Sequence, residues 1–589
     1  MPMLRRILYP ITLFSSFLLL LNCAGGKSKQ VSTRNFSTTE PSSAEAVAAV
    51  SPGEELFATH CASCHGLEAA GIGPRLGGIT KVWSEKELLA FIQNPAKVIE
   101  AGNARAKAQF EKYKLVMPAF DYLKPEEIRS IITYIAQETN AKNIEPLTIT
   151  ATDPNTETVR YAPLIQPSKL RIELEDFVTI PASSDKLPRT RIATMRAHPS
   201  GDGTLYVSDQ NGLIYRLDQG QAGTFLDVRP VIDNFVATPG LGTGLGSFAF
   251  HPDYLNNGLI YITYTEKPLR KPADYSYADS VKVALQWVVS EWKIKDVTSP
   301  VFEGTRRELL RINVPNVVHG TQDIGFVPGL KKGDPDYGML YIGTGDGGST
   351  ISKHPELPHN LRSLLGTIIR IDPLGNNSPN GKYGIPSDNP FFNNPDPKVR
   401  KEIWAYGFRN PHRLAWWESP QGMKLLATEV GEGAVEEINL IEKGQDYGWN
   451  VREGDYAINY KTLDTVTPVP AGEVGTYRPP FAQYDHTDGN AISGGYVYEG
   501  PLEALKDKYI FSDIIRGRLW YLDLSQGLTD HTIHEFFVQQ KGTPVTMKEL
   551  SPTPRLDLRI SYDPFKKEMY LMTKGDGKIR KIVKAYLEE

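Results

Sequence analysis

The sequence predicts a multidomain chain, a small all-α unit followed by a much larger all-β unit. Three observations predict it. A Cys61-Ala-Ser-Cys64-His65 element lies in a stretch whose apolar residues recur at helical spacing. Roughly four hundred later residues read as short strands separated by Gly, Pro and Asp turns. Two polar stretches between these regions mark the joints.

In chain order, Leu4-Arg5-Arg6 supplies a positive n-region, Ile7 to Leu21 an apolar h-region, and Leu-Leu-Asn-Cys23 closes it, which looks like a lipoprotein signal over 1–23. The apolar stretch is about fifteen residues, short of the about twenty that a spanning helix needs. Asn22 departs from the small residue usual before a lipidated cysteine, so a plain cleaved signal or an uncleaved anchor are the alternatives. The expectation is an exported bacterial protein, periplasmic or held to the outer membrane by lipid on Cys23. Residues 24–51, rich in Ser, Thr, Ala and Glu, read as a flexible tether.

The first globular unit, 52–140, carries the chemistry at its start. Two thiols three positions apart on one turn reach the two vinyl groups of a single porphyrin, and the next residue offers an imidazole to the iron. Cys61 and Cys64 are thus read as covalent haem attachment points and His65 as an axial ligand. The chain has three cysteines, so a disulfide framework is excluded, and a zinc site lacks its further ligands. Haem attachment to this element also belongs outside the bacterial cytoplasm, in agreement with the signal. Helices are expected over Ser84–Gln93, with Leu88, Leu89, Phe91 and Ile92, and over Lys124–Ala136, with Ile128, Ile131, Ile132 and Ile135. Met117 is the only methionine of the unit and precedes the last helix. The segment resembles small class I c-type cytochromes, which implies Met117 as the sixth iron ligand and the Pro74 carbonyl as partner of the His65 ring. His60 is the alternative ligand, but its place beside Cys61 points to solvent or the helix surface.

Residues 141–168 read as a linker, and 169–589 as the β unit. Leu205–Asp209 with Gly212–Leu217 is echoed by Leu259–Ile262, Met339–Gly343, Gly494–Tyr498 with Tyr509–Ser512, and Met569–Met572. Repeated antiparallel units favour a β-propeller over a sandwich, because radial repetition protects sheet edges. With 40% hydrophobic residues and a net charge of −4, nothing suggests a nucleic-acid partner.

The motifs Leu365–Asp372, Ile385–Pro390, Tyr406–Ala415, Glu436–Ile441 and Asp446–Trp449 resemble, in the same order, those of the soluble quinoprotein glucose dehydrogenases. Relatives of these include the aldose sugar dehydrogenases and the propeller of hedgehog-interacting protein. The resemblance implies a six-bladed propeller binding pyrroloquinoline quinone (PQQ) and calcium at the centre of one face. It also implies oxidation of a sugar or other alcohol, with electrons passing to the chain's own haem and then to a downstream acceptor. By motif match, His319 is the implied catalytic base and Asp346 its orienting carboxylate. Arg409 and Asn410 are the quinone contacts, and the carbonyls of Gly431 and Glu432 the calcium ligands. Other positions depart from the family. Ile515 stands at its lysine, Leu556 and Leu558 at two arginines, Gly242 and His412 at glutamines, and Glu432 at its proline. Arg516, Arg518, Arg555 and Arg559 lie close enough in sequence to replace the missing cations. These departures leave a second reading, an electron-transfer cytochrome whose propeller binds a carbohydrate or protein without catalysis. The stretch 268–301 is expected as substrate loop.

Overall fold

A computed structural model describes residues 51–62, 65–68, 73–113, 116–147, 160–185, 188–268, 272–461, 463, 466–553 and 556–589. Cys23, the tether, Cys64, Arg555 and much of the linker lie outside the described residues. No helix among the described residues is long and apolar enough to cross a membrane.

The N-terminal region is helical. Helix α1, Pro52–His60, starts with Pro52 in its first turn and with the Ser51 hydroxyl accepting from Glu54 N at 3.1 Å. Both devices satisfy the free end of a helix, since proline lacks the N–H that would be orphaned there. Helix α2, Glu85–Gln93, opens on a reciprocal capping box between Ser84 and Glu87. Two helices that the apolar spacing did not announce follow, α3 over Pro95–Glu100 and α4 over Ala104–Tyr113. Their windows are short or dominated by charge, so no apolar stripe marks them.

Helix α5, Pro125–Ala141, buries Ile128, Ile131, Ile132 and Ile135 against Phe57, Trp83, Leu88 and Phe120. Each such isoleucine contributes about 1.5–3 kcal/mol by leaving water. α1 crosses α5 at Gly53, where a Cβ would stand 2.2 Å from the Ser130 carbonyl oxygen. Only glycine allows that approach.

The rest of the chain is β-rich. Four-stranded antiparallel sheets begin at Ile192–Ala197, Leu245–Phe250, Asp323–Phe326 and Pro411–Ser419. A nine-stranded sheet includes Ile492–Val497 and Leu558–Asp563, and Gln166–Thr179 joins its halves. That strand pairs antiparallel with Lys578–Leu587 and parallel with His534–Gln540, so the start of the β region is fastened to its end. The strands named first neighbour one another in order, and Leu558–Asp563 returns to Ile192–Ala197, closing a ring. Each sheet is covered on both faces by its neighbours, which is why Leu205–Asp209, Leu340–Thr344 and Thr367–Ile371 are buried at every residue instead of alternating. The stretch 268–301 is not loop throughout. It contributes the strand Leu285–Ile294, buried except at Lys293, which pairs with both of its neighbours.

Polar side chains tie the ring together on its inside. Asp323 accepts from Arg196 Nη2 at 2.7 Å, Ser247 Oγ at 3.0 Å and Leu414 N at 3.0 Å, while Arg413 donates to the carbonyls of Gln322 and Ala193 at 2.7 Å each. One carboxylate and one guanidinium thus link four inner strands, and a satisfied buried network of this kind fixes register more than it adds stability. The helical region contacts the β region directly: Glu54 pairs with Lys353 at 2.8 Å, and the Lys548 ammonium lies 5.6 Å from the centre of the Phe110 ring.

Candidate active site

His65 is buried, and its Nδ1 donates to the Pro74 carbonyl at 2.7 Å. Gly73 makes room for the ring, since a Cβ there would meet His65 Cε1 at 2.3 Å. Cys61, His65 and Met117 line one cavity with otherwise mostly apolar walls, among them Trp83, Phe120 and Ile132. An apolar chamber offering an oriented imidazole, a thiol and a thioether fits covalently held haem, whose potential depends on its ligands and its exclusion from water. His60 is half-buried. It lines the same cavity beside Phe120 and Tyr122, and burial lowers its pKa to about 4. Replacing Met117 by Ala should abolish the methionine-to-iron charge-transfer band of the oxidised protein and lower the reduction potential. An unaltered spectrum would move the sixth ligand elsewhere.

In the β region, His319 lies in the connection between Gly304–Val314 and Asp323–Phe326, and Asp346 in the connection between Leu340–Thr344 and Thr367–Ile371. His319 adopts φ +55°, and its Nδ1 lies 2.5 Å from Asp346 Oδ1. Asp346 is fixed from two further sides, accepting from Gly348 N at 2.8 Å and from Trp449 Nε1 at 3.1 Å. Burial pushes the Asp346 carboxyl up, but the charges of His319 and Arg409 and the Gly348 amide hold it below its ordinary value. Burial, reinforced by the Arg409 charge, lowers the His319 pKa against the pull of Asp346. The imidazole is therefore neutral at pH 7 and oriented through Nδ1, which leaves Nε2 as the acceptor.

Arg409 is 3% exposed. Its Nε and Nη2 reach Glu432 Oε2 at 2.8 and 2.5 Å, Nη1 donates to the Val430 carbonyl at 3.0 Å, and the guanidinium lies 5.6 Å from the centre of a Trp449 ring. The Asn410 Oδ1 atom is buried with no hydrogen-bond partner, as is Glu429 Oε2. The Gly431–Val435 turn is held by Glu453 Oε1, which accepts from the amides of Gly433, Ala434 and Val435 at 3.0, 2.8 and 2.9 Å. A Cβ at Gly431 would lie 1.8 Å from the Val435 carbonyl oxygen. Burial raises the carboxyl pKa of Glu429, Glu432 and Glu437, that of Glu437 to about 7. No group of three or more His, Cys, Asp or Glu among the described residues is arranged to hold a metal ion.

The positions departing from the cofactor family are also located. Leu556 and Leu558 are buried in an apolar cluster. Arg516 hydrogen-bonds to the carbonyls of His486 and Thr487 and to Asn490, Arg518 pairs with Asp488 and Glu535, and Arg559 donates to the Leu558 carbonyl. His412 is buried, and its pKa falls well below the usual value through burial and the charges of Arg413, Arg559 and Lys574. For PQQ, the Arg409 guanidinium is the donor that suits the carbonyl end of a quinone, while the unpartnered Asn410 amide oxygen and the His319 Nε2 are acceptors that suit a hydroxyl. The acid groups of the tricarboxylate meet no lysine or arginine at the three family positions.

Sequence reasoning did not assign Trp449, Glu429 or Glu453. Trp449 ends the Asp446–Trp449 motif, whereas nothing near Glu453 in the sequence signals a carboxylate capping a turn some twenty residues upstream.

Comparison with known proteins identifies two families in the chain. The family described as "Glucose / Sorbosone dehydrogenase" matches residues 193–545, and cytochrome c matches residues 50–139. The HIPL1 protein of Arabidopsis thaliana is 26% identical over 384 residues, 57% of this chain and 53% of its own length. The aldose sugar dehydrogenase YliI of Escherichia coli (strain K12) is 30% identical over 192 residues, 31% of this chain and 45% of its own length. The chain thus spans about half the length of these curated relatives. A solved structure of a glucose dehydrogenase covers 70% of this chain and 99% of its own, with a TM-score of 0.50 at 18% identity, a likeness of fold. The ring of sheets, the His319–Asp346 turns and the haem cavity thus sit in a chain that belongs to the glucose/sorbosone dehydrogenase family and carries a cytochrome c domain at its N-terminal side.

Proposed function

We propose that this chain is an exported quinohaemoprotein dehydrogenase that oxidises a sugar or other alcohol with PQQ and passes the electrons to its own haem. Its parts are a signal over 1–23, a tether over 24–51, a cytochrome over 52–140, a linker over 141–168 and a six-bladed propeller over 169–589. In this count the nine-stranded sheet supplies two blades. The observation that carries the reading is the buried His319–Asp346 pair, oriented by Trp449 and placed next to the Arg409 charge.

In this reading His319 Nε2 takes the proton of the substrate hydroxyl while Asp346 holds the imidazole in the accepting tautomer and stabilises the imidazolium that forms. Arg409 and the Asn410 amide group would stabilise negative charge developing on a quinone oxygen. When bound, PQQ would supply the hydride acceptor, calcium on the Gly431 and Glu432 carbonyls its polarisation, and haem a one-electron exit. Oxidation of one alcohol to its carbonyl releases two electrons and two protons. A single haem must therefore be reoxidised by a downstream acceptor between the two electrons. Export is supported by the Arg5-Arg6 segment with its apolar run and by the haem-attachment element; lipid on Cys23 would anchor the chain.

The test is reconstitution of the full-length haem-loaded protein with PQQ and calcium, followed by addition of aldoses and simple alcohols. Haem reduction that needs substrate, PQQ and calcium together is expected, with strong calcium dependence, because the metal must compensate charge that the family's lysine and arginines otherwise meet. Absence of PQQ binding at every calcium level, with the β region folded, would reject the quinoprotein reading. It would favour instead a cytochrome whose propeller binds a carbohydrate or protein.

A further inference from the structure

The haem cavity is not made by the helical region alone. Leu241 and Ile515, from two loops of the β region, line it together with Cys61, His65 and Met117. Both residues are half-buried, and both loops are held in place. The Leu241 carbonyl accepts from Gln322 Nε2 at 3.2 Å, and Arg191 Nη1 donates to the carbonyls of Ala237 and Pro239 at 3.1 and 2.9 Å. On the other side, Asp513 Oδ1 accepts from the Ile515 amide at 2.9 Å, and the Leu558 amide donates to the Ile514 carbonyl at 2.9 Å.

The neighbour of Leu241 faces the catalytic turn. Gly242 packs so closely on Val318–Gly320 that a Cβ would come within 2.7 Å of the His319 amide nitrogen. One side of this two-residue segment thus walls the haem cavity, and the other side touches the backbone that carries His319. The contact has an electrostatic side too, for burial raises the Tyr122 phenol pKa and the Arg191 charge opposes that rise.

We propose that the β region completes the haem pocket, with Leu241 and Ile515 as positioning residues that exclude water from the haem and form the contact through which electrons from the His319 site reach it. Ile515 is then not merely a lost cofactor cation. An ammonium at that place would point into an apolar haem wall, and the isoleucine suits it. The direction of electron flow rests on the dehydrogenase reading; the shared pocket does not. With haem bound, each electron given up by the reduced quinone of that reading would convert ferric iron to ferrous, and no bond would form or break.

The test uses the full-length, haem-loaded chain with Leu241→Asn and Ile515→Asn, neutral changes that admit water without adding charge. Ile515→Val serves as the conservative control. Two quantities that need no substrate are measured, the haem reduction potential and the rate at which ferricyanide reoxidises dithionite-reduced haem. Both Asn variants should show a lowered potential and a several-fold faster reoxidation at unchanged haem content, and Ile515→Val should match the unmodified chain. A hydrated haem favours the ferric state, which fixes the sign. Potentials and rates in both Asn variants equal to those of the unmodified chain would overturn the proposal. Failure of every substrate to reduce the haem, with these shifts present, would reject the dehydrogenase reading and leave the shared pocket standing.

Discussion

Replacing His319 by Ala is expected to lower substrate-driven haem reduction about a hundredfold or more, the usual scale of a lost general base. Haem content and the circular dichroism of the β region should stay as they are, because the side chain makes one polar contact, to Asp346, and sits in a turn instead of a sheet. Asp346→Asn should lose less. The asparagine keeps contacts to Gly348 and His319 but no longer stabilises the imidazolium. The pH profile follows from the lowered pKa of the imidazole. The base stays deprotonated below its usual value of 6.5, so the acid limb of turnover should lie below pH 6.5, falling as His319 takes up a proton. Full turnover in His319→Ala would remove it from the catalytic role. An acid limb centred above 6.5 would mean that the base is another group.

Arg409→Ala should be the most destabilising of these substitutions, by about 3–5 kcal/mol, because it leaves the Glu432 carboxylate buried without its partner. Both groups are nearly inaccessible to solvent, at 3% and 8% exposure, so water cannot replace the guanidinium. The loss has a definite pH dependence. Burial already raises the Glu432 pKa, and removing Arg409 takes away the charge that opposes the rise. A carboxyl whose folded-state pKa lies above its unfolded value costs stability as the pH climbs past the unfolded value. The destabilisation should therefore be largest near neutrality and shrink as the pH falls toward the ordinary glutamate range. Urea unfolding followed by tryptophan fluorescence at two pH values measures this. The double variant Arg409→Met with Glu432→Leu should recover much of the loss, since an apolar pair of similar volume carries no desolvation penalty. Equal midpoints for Arg409→Ala and the unmodified chain would show that the pair is not formed.

The structure also relocates the departures from the quinoprotein pattern. Glu432 in place of proline supplies the counterion of Arg409, so the cation that the motif assigns to the quinone is already neutralised by a neighbour on the Gly431–Val435 turn. Leu556 and Leu558 belong to the apolar core. Ile515 belongs to the haem cavity. The three positions that read as one missing clamp, Ile515, Leu556 and Leu558, thus lie in two separate local environments.

What the sequence alone determined is whatever chemistry is written locally. The haem-attachment element needs two thiols and an imidazole within five residues, helix α5 needs four isoleucines at helical spacing, and the strand Leu205–Asp209 needs five residues bounded by turns. Each can be read because its partners are near in sequence. The tertiary structure alone decided that Gln166–Thr179 closes the β region by pairing with Lys578–Leu587 about four hundred residues away, since pairing between distant strands leaves no periodic trace. It alone turned Trp449 toward Asp346, set Glu453 under the Gly431 turn and brought Leu241 and Ile515 to the haem cavity. Burial pattern and motif spacing specify which face of a segment leaves water. Which distant segment covers that face is fixed only when the chain closes on itself, because many apolar surfaces are chemically alike and only shape and the satisfaction of buried polar groups distinguish among them.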